Sequence, residues 1–141
     1  MKKIAVLGGG QVGASVAKIL TDDGNDITLV DNNASVLEDL QEDNDIKTIQ
    51  GNASSPSVLN QVELSDCDIL IATTASDEVN LVSCHLAKKM FNVPNVIARL
   101  RNAEYREKTS DFNLELFSID SIISPSPVSY THLRAHETLR Y

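Results

Sequence analysis

An apolar run that stops at a glycine cluster, "KKIAVLGGGQVGASVAKIL", constrains the fold of this chain more than any other feature. Residues 4–7 are uniformly apolar, which is typical of a strand buried on both faces, and three glycines follow at once. Beyond them the apolar period changes to helical spacing through Val12, Val16 and Ile19. This sequence predicts a buried strand that enters a tight turn and then a helix.

The alternation of strand and helix continues along the chain. The strings "DITLVD", "IKTIQGN", "CDILIATTA" and "NVIARLR" predict four further strands, with helical spacing between them. Gly24 is expected at a C′ position after the first helix, and Asn32 or Asn33 as the cap of the second. Ser55 followed by Pro56 predicts a cap and first turn of the third.

The helix after the fourth strand carries the clearest end signals. Ser76 is its predicted cap, with two acidic residues in the first turn and two lysines in the last, as the helix dipole favours. Its predicted apolar stripe is Val79, Val82, Leu86 and Met90. After the fifth strand, a weak helix over 103–108 and a short strand near 116–119 complete the prediction.

Strands that alternate with helices predict an α/β fold. A chain of 141 residues suits one compact domain and leaves no room for the eight repeats of a barrel. The expected architecture is therefore a single-domain, Rossmann-like, doubly wound sheet with mostly parallel strands. Ligands of such sheets lie outside the carboxyl ends of the strands, where the strand order reverses.

The glycine cluster predicts a nucleotide site at that edge. Gly8, Gly10 and Gly13 fit G-x-G-x-x-G, in which the first glycine permits the turn, the second lets the backbone approach a pyrophosphate, and the third lets helix and strand pack closely. Asp31 follows Gly13 by 18 residues, at the end of the second strand, where a carboxylate can accept hydrogen bonds from ribose hydroxyls. The alternatives are a purely structural turn and a helix-capping carboxylate.

Asp31 also bears on which nucleotide is bound. Its charge would repel a 2′-phosphate, and the string "DNNAS" offers no Arg or Lys to balance one, so NADP is disfavoured. NAD or NADH fits better, while ATP and ADP also present a free ribose and stay open as alternatives.

Three other strand ends are expected at the same crevice. Gly51, Asn52 and Ala53 follow strand three, Thr73, Thr74 and Ala75 follow strand four, and Arg99 lies near the end of strand five. The first group is small enough to admit an adenine edge, and the second could line the ribose and phosphates. Arg99 could meet a pyrophosphate or a second ligand. The alternatives are threonines that merely end a strand and an arginine in a surface ion pair.

Composition narrows the function classes. The formal net charge is -8 and the pI is near 4.7, which disfavours nucleic acid as a partner. No apolar run approaches the roughly 20 residues that span a bilayer, so we expect a soluble cytoplasmic chain without membrane insertion. Cys67 and Cys84 lack a metal or disulfide motif and are expected to fill small apolar spaces as free thiols.

Candidate catalytic groups are scarce. His85 lies at a helical position between Val82 and Leu86, which is more typical of a helix flank than of a catalyst. Tyr105 and Lys108 are three apart, whereas the dyad of short-chain dehydrogenases has a spacing of four. The sequence thus predicts a nucleotide cradle that is not an enzyme. Two alternatives remain: the cofactor domain of a truncated dehydrogenase, and an interaction module with a vestigial glycine turn.

The last residues change in character. Residues 128–138 resemble one reading frame of a transposon adapter used in preparing sequencing libraries, so residues 126–141 are expected to be a non-native tail. The spacing of His132 and His136 is accordingly not interpreted as a metal site, and no metal is predicted. The domain itself is predicted over residues 1–125, and we expect the natural protein to continue beyond.

Several strings together resemble one family. "LGGGQVGASVAKIL", "IQGNASSPSVL", "ILIATTASDEVNLVSCHLAKKMF" and "NVPNVIARLRNAEY" look like the amino-terminal nucleotide-binding domain of TrkA-type potassium-uptake regulators, the RCK or KTN domain. The turn "SDE-x-N" and the strand "IARLRN" are more specific than the glycines. The resemblance covers residues 1–125, and the chain leaves the family pattern afterwards.

This resemblance implies a cytoplasmic subunit, peripheral to the inner face of the cell membrane, that binds NAD(H) and regulates a membrane potassium transporter. Sister families bind ATP or ADP instead. A homo-oligomer, dimer or tetramer, is implied for the intact protein. The family's dinucleotide contacts fall on Gly8, Gly9, Gly10, Gln11, Val12, Asp31, Thr74, Ala75 and Arg99.

Overall fold

The computed structural model describes residues 1–43, 45–107 and 114–123. Strands and helices alternate along the described chain: β1 (Lys3–Leu7), α1 (Gln11–Asp22), β2 (Asp26–Asp31), α2 (Ala34–Asp43), β3 (Lys47–Gln50), α3 (Pro56–Gln61), β4 (Ile69–Ala72), α4 (Asp77–Lys89), β5 (Asn95–Arg99), α5 (Ala103–Arg106) and β6 (Ser121–Ile123). Short 3-10 helices cover Leu64–Asp66 and Leu114–Phe117.

The six strands form one parallel sheet in the order β3-β2-β1-β4-β5-β6. The order reverses between β1 and β4, because the chain first adds strands on one side of β1 and then crosses to the other. This arrangement confirms the predicted doubly wound α/β sheet, and it creates a crevice at the carboxyl ends of β1 and β4.

The sheet is buried on both faces, which explains its continuous apolar strands. Ala5 and Leu7 of β1 belong to one core cluster with residues of α3 and α4, whereas Ile4 and Val6 belong to the other with residues of α1 and α2. All four side chains are completely buried. The two layers of helices therefore fix the sheet, and with it the position of the strand ends.

The helix ends match the local signals in part. Gly24 has φ +88°, and the N–H groups of Gly24 and Asn25 donate to the carbonyls of Thr21 and Leu20, which is the Schellman pattern at the end of α1. The Asn33 side chain accepts from the Ser35 N–H and caps α2. Ser55 precedes α3 as predicted, but its hydroxyl makes no cap hydrogen bond.

In the described ranges, no helix has the length and apolarity needed to cross a membrane.

Of the predicted apolar stripe of α4, only Val79 and Leu86 pack against the core. Val82 and Met90 are 44% and 56% exposed, and the buried face instead includes Asn80 and Ser83. Polar side chains can occupy this face because backbone carbonyls in the neighbouring loops accept their hydrogen bonds: Ser83 donates to Ala53 O at 2.9 Å. The apolar period alone could not anticipate these partners.

The predicted strand near 116–119 is also wrong. The chain forms a 3-10 helix over Leu114–Phe117, and Ser118 has φ +59°, which ends that helix in a turn. The sixth strand follows at Ser121–Ile123 and pairs with the end of β5. Of the predicted helix over 103–108, α5 covers Ala103–Arg106, and Lys108 lies outside the described residues.

Both cysteines are free and buried, as expected from their isolation in the sequence. Burial raises the pKa of the Cys67 thiol to about 11 and raises the pKa of Cys84 as well. At pH 8 only about one Cys67 in a thousand would be a thiolate, the reactive form.

We expect neither thiol to react with an aromatic disulfide reagent within minutes in the native protein. Both should react at once in guanidinium; rapid native labelling would contradict the buried placement.

Candidate functional site

A cleft of about 540 Å³ opens at the carboxyl edge of the sheet, over the point where the strand order reverses. Most of the predicted site residues line it: Gly8, Gly10, Gln11, Val12, Asp31, Asn52, Ala53, Thr73, Thr74, Ala75 and Arg99. Gly9 and Gly13 do not. The predicted strand ends therefore converge on one concave surface.

The three fingerprint glycines have different surroundings. Gly8 has φ +100°, and a Cβ there would lie 2.9 Å from the backbone of Thr74. A Cβ on Gly13 would collide with the Gly8 carbonyl oxygen, so α1 approaches the turn as closely as it can. At Gly10 a Cβ would meet no atom within 4 Å. The fold itself thus requires glycine at positions 8 and 13 but not at position 10.

Asp31 is fixed beside the glycine turn. Its Oδ2 accepts from the Gly9 N–H at 2.7 Å, and its Oδ1 accepts from the Asn33 N–H at 2.8 Å. A carboxylate offers about four acceptor positions, so capacity for ribose hydroxyls remains. Gly9, which does not line the cleft, therefore acts on the site through Asp31. The alternative that Asp31 serves as a helix cap does not account for its bond to the Gly9 N–H, and the side chain that caps α2 is that of Asn33.

The two threonines that line the cleft have protein partners for their hydroxyls. The Thr73 hydroxyl lies 3.0 Å from Leu7 O and 3.2 Å from Gly8 O, and thereby stabilises the glycine turn. The Thr74 hydroxyl lies 2.6 Å from Asn80 Oδ1 and 3.1 Å from Ser76 O. Both hydroxyl protons are therefore directed into the protein, so a ligand could meet these hydroxyls only as acceptors.

The first turn of α4 contacts several strand ends. Ser76 caps the helix, since its Oγ accepts from the Val79 N–H at 3.1 Å. Asn80 accepts from the N–H of Thr74, just after β4, and donates to the carbonyl of Arg99 at the end of β5. Asp77 accepts from the N–H groups of the two residues that follow Leu100. The Glu78 carboxylate is hydrogen-bonded to the Tyr105 hydroxyl and raises the pKa of that phenol. The cap at Ser76 and the acidic first turn are thus as predicted, whereas the contacts of Asp77, Glu78 and Asn80 with other elements were not predicted from the sequence.

Charge is distributed unevenly along the cleft. Asp31 lies at the β2 end, whereas Arg99 and Arg101 line the β5 end. Arg101 was not predicted from the sequence, and neither were Val30, Asn32, Ser76 and Val79. Arg101 lies two residues beyond the end of β5, and its place in the cleft wall depends on the hydrogen bonds of its N–H group to Asp77. His85 does not line the cleft and packs edge-on against Phe117, with ring centroids 6.2 Å apart. His132 and His136 lie outside the described residues.

The strands are parallel and follow this order, a glycine turn joins β1 to α1, and an acidic residue ends β2. These features define a Rossmann-type domain of the nucleotide-binding class. Comparisons with known proteins make this class specific. The model of the TrkA-N domain family matches residues 4–125, and the chain belongs to that family.

Relatives of known name agree with this assignment. The chain is 50% identical to the Trk system potassium uptake protein TrkA of Haemophilus influenzae, over 87% of this chain and 27% of that protein. It is 41% identical to the protein of the same name from Vibrio alginolyticus, over 93% of this chain and 29% of that protein. The chain therefore spans little more than a quarter of the length of these relatives.

Solved structures share the fold at low sequence identity. The TrkA-N domain of the inner membrane protein ybaL from Escherichia coli superposes with a TM-score of 0.77 at 15% identity, covering 96% of this chain and 97% of that one. The GsuK channel bound to NAD gives a TM-score of 0.71 at 18% identity, over 88% of this chain and 21% of that one. GsuK bound to ADP also gives 0.71, at 22% identity, over 94% and 32%.

Proposed function

We propose that the cleft binds the dinucleotide NAD or NADH, with its adenosine ribose on Asp31 and its pyrophosphate over the turn formed by residues 8–12. The observation that carries this proposal is the hydrogen bond between Asp31 Oδ2 and the Gly9 N–H, at 2.7 Å. This bond holds the Asp31 carboxylate beside the turn, which supports a ribose on the carboxylate and phosphates over the backbone of the turn. Asn52 and Ala53 would lie near the adenine, and Arg99 near the second half of the ligand.

The ligand proposal follows from charge. No Lys or Arg is among the residues that line the β2 end of the cleft in the described structure, so a 2′-phosphate would meet Asp31 without a compensating cation. NADPH should therefore bind weakly. ATP and ADP present the same ribose as NAD(H) and are the alternative ligands, as the ADP-bound GsuK structure illustrates for a related fold.

In this proposal the nucleotide is sensed and does not react. The chain would be part of a cytoplasmic regulatory subunit, peripheral to the inner face of the membrane, in a Trk-type potassium uptake system. Its partner would be the membrane transporter subunit, and the intact protein would be a homo-oligomer. A ligand shifts such an assembly only by its differential affinity for two states. The membrane itself and nucleic acid are not partners in this proposal.

The relatives named as TrkA proteins support the regulatory role over that of a truncated dehydrogenase. Hydride transfer needs an acid or base beside the substrate. The described part of the cleft is lined by no His, Lys or Tyr side chain, which is why the proposal assigns no catalytic residue.

The test is a calorimetric titration with NADH, NAD, ATP, ADP and NADPH, in the wild type and in Gly10→Ala. Because position 10 has a regular φ of -68° and open space around it, we expect the free energy of unfolding to fall by less than about 1 kcal/mol. Affinity for NADH should fall at least about tenfold, because the added methyl group blocks close approach of a pyrophosphate.

The outcomes separate the alternatives. Tightest binding of NADH or NAD supports the proposed ligand, and tightest binding of ATP or ADP would replace it. Unchanged NADH affinity in a folded Gly10→Ala variant would contradict placement of the phosphates over the turn. If the folded wild type binds none of the five, the interaction module becomes the better hypothesis.

A further inference from the structure

One side chain beneath the cleft has all its polar atoms engaged with strand-end groups. Asn80 of α4 is completely buried. Its Oδ1 accepts from the Thr74 N–H at 3.0 Å and from the Thr74 hydroxyl at 2.6 Å. Its Nδ2 donates to Thr74 O at 3.1 Å and to Arg99 O at 2.8 Å. Asn80 thus connects the residues after β4 to the end of β5.

Asp77, one turn earlier, holds the next part of the same edge. Its carboxylate is buried and accepts from the N–H of Arg101 at 2.9 Å and of Asn102 at 2.7 Å. The backbone after β5 is therefore attached to the amino-terminal turn of α4.

Neither residue lines the cleft, yet both bind residues that do. Thr74, Arg99 and Arg101 are all part of the cleft wall. We propose that Asp77 and Asn80, here termed the α4 clamp, are positioning residues for the nucleotide: they hold the β4 and β5 side of the cleft in its binding geometry. This inference rests on the proposed function, since it concerns the same cleft.

The physical reason is preorganisation. Loops that must be ordered on binding reduce affinity, whereas loops already held in the binding geometry do not. A buried amide satisfied on all sides permits one arrangement of the two strand ends, because any displacement leaves carbonyl or N–H groups unpaired. Loss of the clamp should therefore weaken binding even though no ligand contact is removed.

The decisive variant is Asn80→Asp, which keeps the size and the acceptor of the side chain but replaces the donor to Thr74 O and Arg99 O with an oxygen. The matched control is Asn25→Asp. Asn25 is also buried, and its side chain also accepts from a backbone N–H (Lys2) and donates to a carbonyl (Leu20), but it lies at the opposite, amino-terminal edge of the sheet.

Both variants should be less stable than the wild type, so affinity for NADH is measured calorimetrically on folded protein well below both melting temperatures. We expect Asn80→Asp to raise the Kd at least about tenfold and Asn25→Asp to change it less than about twofold. A purely structural role for Asn80 would lower the melting temperature in both and leave both affinities alike, which would overturn the inference.

If Asn80→Asp does not fold, a second pair of variants, Asp77→Asn and its control Glu78→Gln, tests the α4 clamp. Asp77→Asn and Glu78→Gln each remove one negative charge from the first turn of α4, but only Asp77 binds the backbone after β5. We expect a Kd increase of about threefold or more in Asp77→Asn alone. If the wild type binds NADH and both pairs bind like it, the clamp is overturned while the proposed function stands. If the folded wild type binds none of the five nucleotides, both fail.

Discussion

Replacing Asp31 by alanine is expected to raise the Kd for NADH by at least about a hundredfold. Hydrogen bonds between a carboxylate and ribose hydroxyls contribute about 1.5–3 kcal/mol each, and two such bonds would be lost. The substitution also leaves the N–H groups of Gly9 and Asn33 without their acceptor, which loosens the turn under the phosphates. Calorimetric titration of the folded variant with NADH measures the loss directly.

The same strand supplies the control. Asp26 lies at the other end of β2, where its carboxylate is 3.6 Å from the Lys47 ammonium at the surface. Asp26→Ala should leave the Kd for NADH within about twofold, because exposed ion pairs contribute little and this one is remote from the cleft. Equal affinities in Asp31→Ala and Asp26→Ala would refute the ribose assignment.

Those parts of the fold that depend on local pattern were predictable from the sequence. A buried strand followed by glycines and a helical period indicated the β1–α1 unit, and Asp31 at the end of β2 was expected where the structure has it. The Schellman end of α1 needed only Gly24 in place after the last apolar position. In each case the signal and the structure that it predicts lie within a few residues.

The errors concern partners that are distant in sequence. Asn80 and Ser83 are buried because backbone carbonyls of Arg99 and Ala53 meet them, and no window of the sequence contains both members of such a pair. The position of β6 likewise depends on pairing with β5 and not on the apolar residues at 114–119. Arg101 lines the cleft because Asp77 holds its backbone, which is again a contact between separate elements.

Gly13→Ala should destabilise the domain by about 3 kcal/mol. Helix propensity alone predicts the opposite, because Gly13 lies inside α1 and alanine is favoured there by about 1 kcal/mol. The added methyl group, however, would overlap the Gly8 carbonyl oxygen and lie 2.8 Å from the Thr73 hydroxyl. Since Gly8 is held by its own hydrogen bond to Val30 O, α1 must move away from the sheet. Urea unfolding measures the difference.

Gly10→Ala is the matched control, since it adds the same methyl group three residues earlier, where no atom lies within 4 Å. The two variants should divide the roles of the fingerprint: position 13 affects the free energy of unfolding, whereas position 10 affects nucleotide affinity with little change in stability. Wild-type stability in Gly13→Ala would mean that α1 does not approach the turn this closely. Gly13 would then not be needed for the packing of α1 against the turn. It would also not be needed, through that packing, to hold the turn in place beside Asp31.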